Sequence, residues 1–111
     1  MKTFKWSEKQ KKALLGSIRK WQRISNGLDT DKGVNSCPCC KLWNTDDNDC
    51  KGCPISAFTK QTFCDGSPYE IWERDEYYMT NDPKEIPVEG IEIATSELNF
   101  LRALYLAGGG K

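Results

Sequence analysis

The chain has 111 residues, 38% hydrophobic and 29% charged, which suits one small domain rather than two cores. Its 16 basic and 16 acidic residues cancel, so no overall field draws in polyanions. Histidine is absent, which excludes imidazole catalysis, histidine-containing zinc sites and histidine pH switching together. No apolar run approaches the roughly 18 residues of a membrane span, and no signal-peptide core follows Met1-Lys2-Thr3. We therefore expect a soluble protein without membrane contact, kept in the compartment where it is made.

Ser7-Glu8-Lys9-Gln10 is a capping-box pattern. Leu14, Leu15, Ile18, Trp21 and Ile24 follow at spacings of three and four. Together they predict an amphipathic helix over 7–25 with its Lys and Arg outward, weakened at Gly16 and ended by Asn26-Gly27. Residues 26–36 read as a loop, because turn formers dominate. A cysteine segment occupies 37–64. Ser67-Pro68-Tyr69-Glu70 is a second start signal, with Ser at N-cap, Pro at N1 and Glu at N3. It predicts a helix to about Met79 lined by Tyr69, Trp72 and Met79; a short strand is the competing reading.

Asn81-Asp82-Pro83 breaks the chain. Pro87 and Gly90 make 86–93 an extended loop or edge segment. Thr95 or Ser96 then caps a last helix over 96–107, with Leu98, Leu101, Leu104 and Tyr105 on its apolar face and Phe100 near the border. Gly108-Gly109-Gly110 ends it. The expected fold is mainly α: one small domain over 1–111, with two amphipathic terminal helices around a Cys-rich, zinc-stapled loop. Trp6, Trp21 and Trp72 are expected to fill the core, and a base-stacking platform is their minority reading.

Charge is segregated along the chain. Residues 1–24 carry +7, 25–60 carry −1 and 61–111 carry −6. Either the two ends pack together and neutralise each other, or each presents its own field to a partner.

The six cysteines are Cys37, Cys39, Cys40, Cys50, Cys53 and Cys64. Two C-x-x-C pairs, Cys37/Cys40 and Cys50/Cys53, lie in one 28-residue window. Such turns let two thiolates converge on a tetrahedral ion at about 2.3 Å. With no histidine, zinc needs four thiolates. Cys37, Cys40, Cys50 and Cys53 form the simplest set, and Cys64 is a candidate to replace one of the second pair. An iron–sulfur cluster and a three-disulfide framework are the alternatives; the missing secretory signal weighs against disulfides. Cys39 is the spare, read as a small buried hydrophobe. A sphere closed by thiolates leaves no place for water, so the metal reads as structural, fastening a segment whose large apolar residues are Leu42, Trp43, Ile55, Phe58 and Phe63.

The stretch Cys37-Pro-Cys-Cys, Cys50-Lys-Gly-Cys-Pro-Ile and Cys64-Asp-Gly-Ser-Pro-Tyr, preceded by Trp21 and Asn26-Gly27, resembles small cysteine-rich proteins encoded by bacteriophages and related bacterial elements. The resemblance covers about residues 18–72. It implies that Cys37, Cys40, Cys50, Cys53 and Cys64 are the shared cysteines, with Cys39 as an extra. It also implies a setting in the cytoplasm of an infected bacterial host, and little chemistry.

Catalytic signals are weak. Asp46, Asp47 and Asp49, interleaved with Asn44 and Asn48, read as a solvated loop, and no phosphate-binding, dinucleotide or nucleophile-elbow motif occurs. A cysteine nucleophile would lack its usual histidine. Enzyme activity is not expected. Two functions stand. One is an interaction protein that occludes a host or phage protein, such as a defence or nucleic-acid-processing factor, through the acidic stretch from Asp65 to Glu97. The other is a zinc-knuckle nucleic-acid-binding module using Lys9, Lys12, Arg19, Lys20 and Arg23, with Lys41, Trp43 and Lys51 contributing. A redox-sensing iron–sulfur centre is a third.

Overall fold

The computed structural model describes residues 5–31, 53–59, 67–77, 80 and 82–109. The expected first helix is present as α1 (Glu8–Ser25), and its capping box forms in both directions. The Gln10 N–H donates to Ser7 Oγ at 3.2 Å, and the Ser7 N–H donates to Gln10 Oε1 at 2.8 Å. At its other end Gly27 takes φ 74°, which lets the Gly27 N–H reach the Ile24 carbonyl and the Leu28 N–H reach Arg23. That pair of bonds is a Schellman motif, so Asn26-Gly27 ends the helix as expected.

Two short helices follow, α2 (Pro54–Thr59) and α3 (Tyr69–Arg74). The Ser67-Pro68 signal starts a helix one residue later than expected: Pro68, with helical dihedrals (φ −58°, ψ −20°), is the N-cap rather than Ser67, whose Oγ accepts from the Tyr69 N–H at 3.3 Å. The aromatic stretch is helical rather than a strand, but it stops well short of Met79. Asp75 closes it and Glu76 turns into the left-handed region at φ 62°. Met79 itself lies outside the described residues.

The largest departure is the last helix. After a 3₁₀ turn (Pro83–Glu85), α4 spans Val88–Ala107, starting eight residues before the expected 96. Segment 86–93 is therefore mostly helix, not an extended loop. Pro87 sits outside the first turn, where its missing N–H costs nothing. Gly90 is tolerated because its lack of a side chain seats neighbours: a Cβ there would lie 2.8 Å from Ile86 Cγ2 and 3.3 Å from the Tyr77 ring. Thr95 and Ser96 are not caps. Their hydroxyls donate back to the Ile91 and Glu92 carbonyls at 2.9 and 3.1 Å, in mid-helix.

The fold is mainly α, and no strand occurs among the described residues. α1 and α4 pack in opposite directions, since Trp6, just before α1, is pinned to the end of α4. Its main-chain N–H donates to the Gly108 carbonyl at 3.1 Å and its indole N–H to Leu104 at 2.8 Å. Leu14, Ile18, Trp21 and Ile24 of α1 meet Ala94, Leu98, Leu101 and Leu104 of α4, and Ile55 and Trp72 complete the core. All three expected tryptophans are buried. Trp21 lies edge-on to Trp72 (centroids 5.1 Å apart) and to Tyr69 (5.7 Å), while Phe58 of α2 meets Phe100 of α4 edge-on. The radius of gyration, 13.4 Å, matches about 13 Å for one folded unit of this length.

Candidate functional site

The densest chemistry among the described residues is a buried polar cluster where the end of α1, the loop after it, α3 and α4 converge. Asp31 is at its centre. The Schellman turn sends the chain back along α1, which places the Asp31 carboxylate over Lys20, 2.7 Å from Nζ. The two side chains are 0% and 10% exposed, so the pair sits in the interior. The other carboxylate oxygen accepts from the Tyr69 hydroxyl at 2.9 Å and from the Trp72 indole N–H at 3.0 Å. An ion pair taken out of water needs such extra hydrogen bonds to offset desolvation. Lys20 also rests 5.1 Å from the centre of the Trp21 ring.

Glu97 of α4 joins the cluster beside Tyr69, Ser67 and Lys20 and is likewise buried. Burial pushes its carboxyl up from 4.5 to about 7. The Tyr69 N–H, the nearby Lys20 charge and the Ser67 hydroxyl pull it down, and Asp31 adds to the rise. Its Oε1 has no hydrogen-bond partner among the described residues. Burial thus favours the neutral acid over the carboxylate at this position.

The cluster brackets the cysteine segment. Asp31 precedes all six cysteines in sequence, while Ser67, Tyr69 and Trp72 follow them. Of the five expected ligands, Cys53 is described: it is buried just before α2, in the core with Ile55. Cys37, Cys40, Cys50 and Cys64 lie outside the described residues, as do Cys39, Lys41, Trp43, Lys51 and the Asp46-Asp47-Asp49 run. Among the described residues no group of three or more cysteines and acids is arranged to hold a metal.

The five expected nucleic-acid contacts separate. Lys9, Lys12 and Arg19 are exposed on α1. Arg23 is largely exposed and reaches Asp29 at 3.4 Å. Lys20 turns inward to Asp31, so it is not part of an outer basic face. Likewise Glu97, expected on the acidic surface, is in the core. No helix of the described residues is long and apolar enough to cross a membrane.

Sequence reasoning missed Asp31 and Glu97 as site residues. Glu97 carried a signal: it falls on the stripe Ala94, Leu98, Leu101, Leu104 that α4 buries. Lys20 carried a similar one, beside Trp21 and one turn from Ile24. Asp31 carried none, since it lies in a run of turn formers whose fate depends on tertiary contacts.

A cleft of about 250 Å³ lies elsewhere, between α1 and the last turns of α4, lined by Leu15, Ile18, Arg102, Tyr105 and Leu106. Its walls include none of the buried polar groups; Glu97 and Tyr105 are eight residues apart, about 12 Å along the helix. Comparison with protein families, with curated proteins and with solved structures finds no match for the chain.

Proposed function

We propose that this chain is a non-enzymatic interaction module: a helical scaffold, its cysteine segment closed by a structural zinc ion, that binds and occludes a partner protein. The observation that carries the reading is the separation of its outer charges. Lys12 and Arg19 on α1, and Glu70, Glu73, Glu89 and Glu92 on α3 and α4, are exposed and form no ion pair among the described residues. Among the described residues, the ion pairs of Lys11, Lys20 and Arg23 run within α1 or to the loop directly after it. These outer side chains, with no ion pair holding them, are available to act on encounter rate and specificity with a partner.

Three features support the scaffold half of the reading. The buried carboxylates are read as structural: Asp31 is committed to Lys20, Tyr69 and Trp72, and neither it nor Glu97 lines the cleft. The Asp31 clasp draws together the chain before and after the cysteines, which lowers the loop-closure entropy left for a metal to overcome. Cys53 is a buried anchor for that segment. An iron–sulfur cluster is the alternative occupant. The cysteine pattern's likeness to phage-encoded proteins directs the partner search to an infected bacterial cytoplasm, with host defence and nucleic-acid-processing proteins first.

The second reading, nucleic-acid binding, rests on exposed Lys12 and Arg19, and is weakened by the inward Lys20. A salt-titrated gel shift with single- and double-stranded DNA and RNA separates the two. The interaction reading expects no shift at about 50 mM salt and a stoichiometric protein partner on cross-linking in host cells. A shift that falls steeply with salt and is lost in Lys12→Ala or Arg19→Ala would overturn it.

A further inference from the structure

Arg102 is the one basic residue of α4, a helix whose other charges, Glu89, Glu92 and Glu97, are all acidic. It lies in the wall of the α1–α4 cleft, among Leu15, Ile18, Tyr105 and Leu106. Leu106 is 63% exposed there, and Leu15 and Tyr105 are half-buried. On α1, Lys12 and Arg19 stand three residues before and four after Leu15, so they share its face. Both are exposed, as is Arg102, and none of the three is in an ion pair among the described residues. Arg102 thus lines the apolar floor itself, and Lys12 and Arg19 stand beside it on the α1 face that carries Leu15, in a molecule with no net charge.

We propose that this cleft seats a short acidic amphipathic helix of the partner protein. This deepens the interaction reading and rests on it. At about 250 Å³ the cleft is below the roughly 300–1,000 Å³ of small-molecule sites, and it matches one large aliphatic or aromatic side chain with a smaller neighbour. Helices that dock in this way present anchors at i, i+3 or i+4, and i+7. Here Leu106 and Tyr105 flank the principal anchor, and carboxylates beside it meet Arg102, Arg19 and Lys12. The rim pairs are solvent-exposed and set approach and orientation, while burial of the anchor supplies most of the affinity.

The test uses the full chain and a labelled peptide of about 15 residues, with Leu at i, i+3, i+4 and i+7 and Glu on the other face. A second peptide carries Lys in place of each Glu. Fluorescence anisotropy should show the acidic peptide binding at least tenfold more tightly. Arg102→Glu combined with Arg19→Glu should reverse that order, and Leu106→Asp should abolish binding of both peptides. Leu106 and Arg102 are exposed, and an unchanged melting temperature would show that these variants fold. Equal binding of the two peptides, no binding, displacement by an oligonucleotide at lower concentration than by unlabelled peptide, or occupation of the cleft by a second copy in sedimentation would each overturn the proposal. A cross-linked partner whose binding is indifferent to Leu106→Asp and Arg102→Glu would overturn the cleft assignment alone and leave the interaction reading standing.

Discussion

The Trp72 indole N–H donates to the Asp31 carboxylate at 3.0 Å across 41 positions of sequence, and that bond sits inside the molecule. It closes the chain around the cysteine segment, and the same carboxylate also holds Lys20 and the Tyr69 hydroxyl. Asp31→Ala would leave the Lys20 ammonium, the Tyr69 hydroxyl and the Trp72 N–H together without their acceptor. Breaking a buried pair from one side costs about 3–5 kcal/mol, a large part of a small domain's stability. Urea denaturation should show a loss of that size, with Asp31→Asn recovering part of it through its amide oxygen. A loss below about 1 kcal/mol would mean that the cluster is wetter and looser than its geometry indicates.

Glu97 gives the fold a pH dependence of definite sign. Its carboxyl holds a proton up to about 7 when folded and to about 4.5 in the unfolded chain, so folding favours the protonated form. The contribution is complete below about pH 4.5, falls as pH rises toward 7, and is gone above it. The shift corresponds to roughly 3 kcal/mol at most. Glu97→Gln mimics the neutral acid, so the stability difference between variant and parent should grow in the variant's favour from pH 5 to pH 8, by about 1–3 kcal/mol. Other carboxylates titrate in both proteins and cancel in that difference. A flat difference across the range would show that Glu97 ionises as an exposed acid does.

Gly108 is required by Trp6. A methyl at position 108 would land on the indole ring, whose N–H is bonded to Leu104. Gly108→Ala should therefore expel Trp6, unfasten the start of α1 from the end of α4, and cost about 2–4 kcal/mol with a red shift of tryptophan emission. Gly109 has open space but φ 90°, so Gly109→Ala should cost only the backbone strain of about 1–2 kcal/mol and leave the emission unchanged. Equal emission in the two variants would contradict the packing.

Local signals were readable in the sequence where they act locally. The capping box at Ser7, the Gly27 turn and the stripe from Leu98 to Leu104 all formed as the residue pattern implied, and the helix signalled at Ser67-Pro68 begins one residue later than expected. The errors share a cause. Pro87 and Gly90 read as breakers, yet one stands at a helix start and the other where Ile86 and Tyr77 press on the backbone; only the packed structure separates these cases. Lys20 and Glu97 looked like surface charges because most are. Lys20 turns inward because of Asp31, which comes into place only once the chain turns back at Gly27, and Glu97 is buried with the apolar stripe of α4. The expectation of a metal rests on cysteine spacing alone, and four of the five expected ligands lie outside the described residues.

Structural zinc in small peptides contributes roughly 10–16 kcal/mol of apparent binding free energy, more than the few apolar side chains of the cysteine segment would. Native mass spectrometry of the purified chain, paired with thermal melting before and after a strong chelator, reads that contribution directly. The account predicts one zinc per chain, four thiols shielded from alkylation until the metal is stripped, and a much lower melting temperature once it is gone. A bare polypeptide that melts at the same temperature with and without chelator would contradict it, and so would bound iron with the brown colour of a cluster.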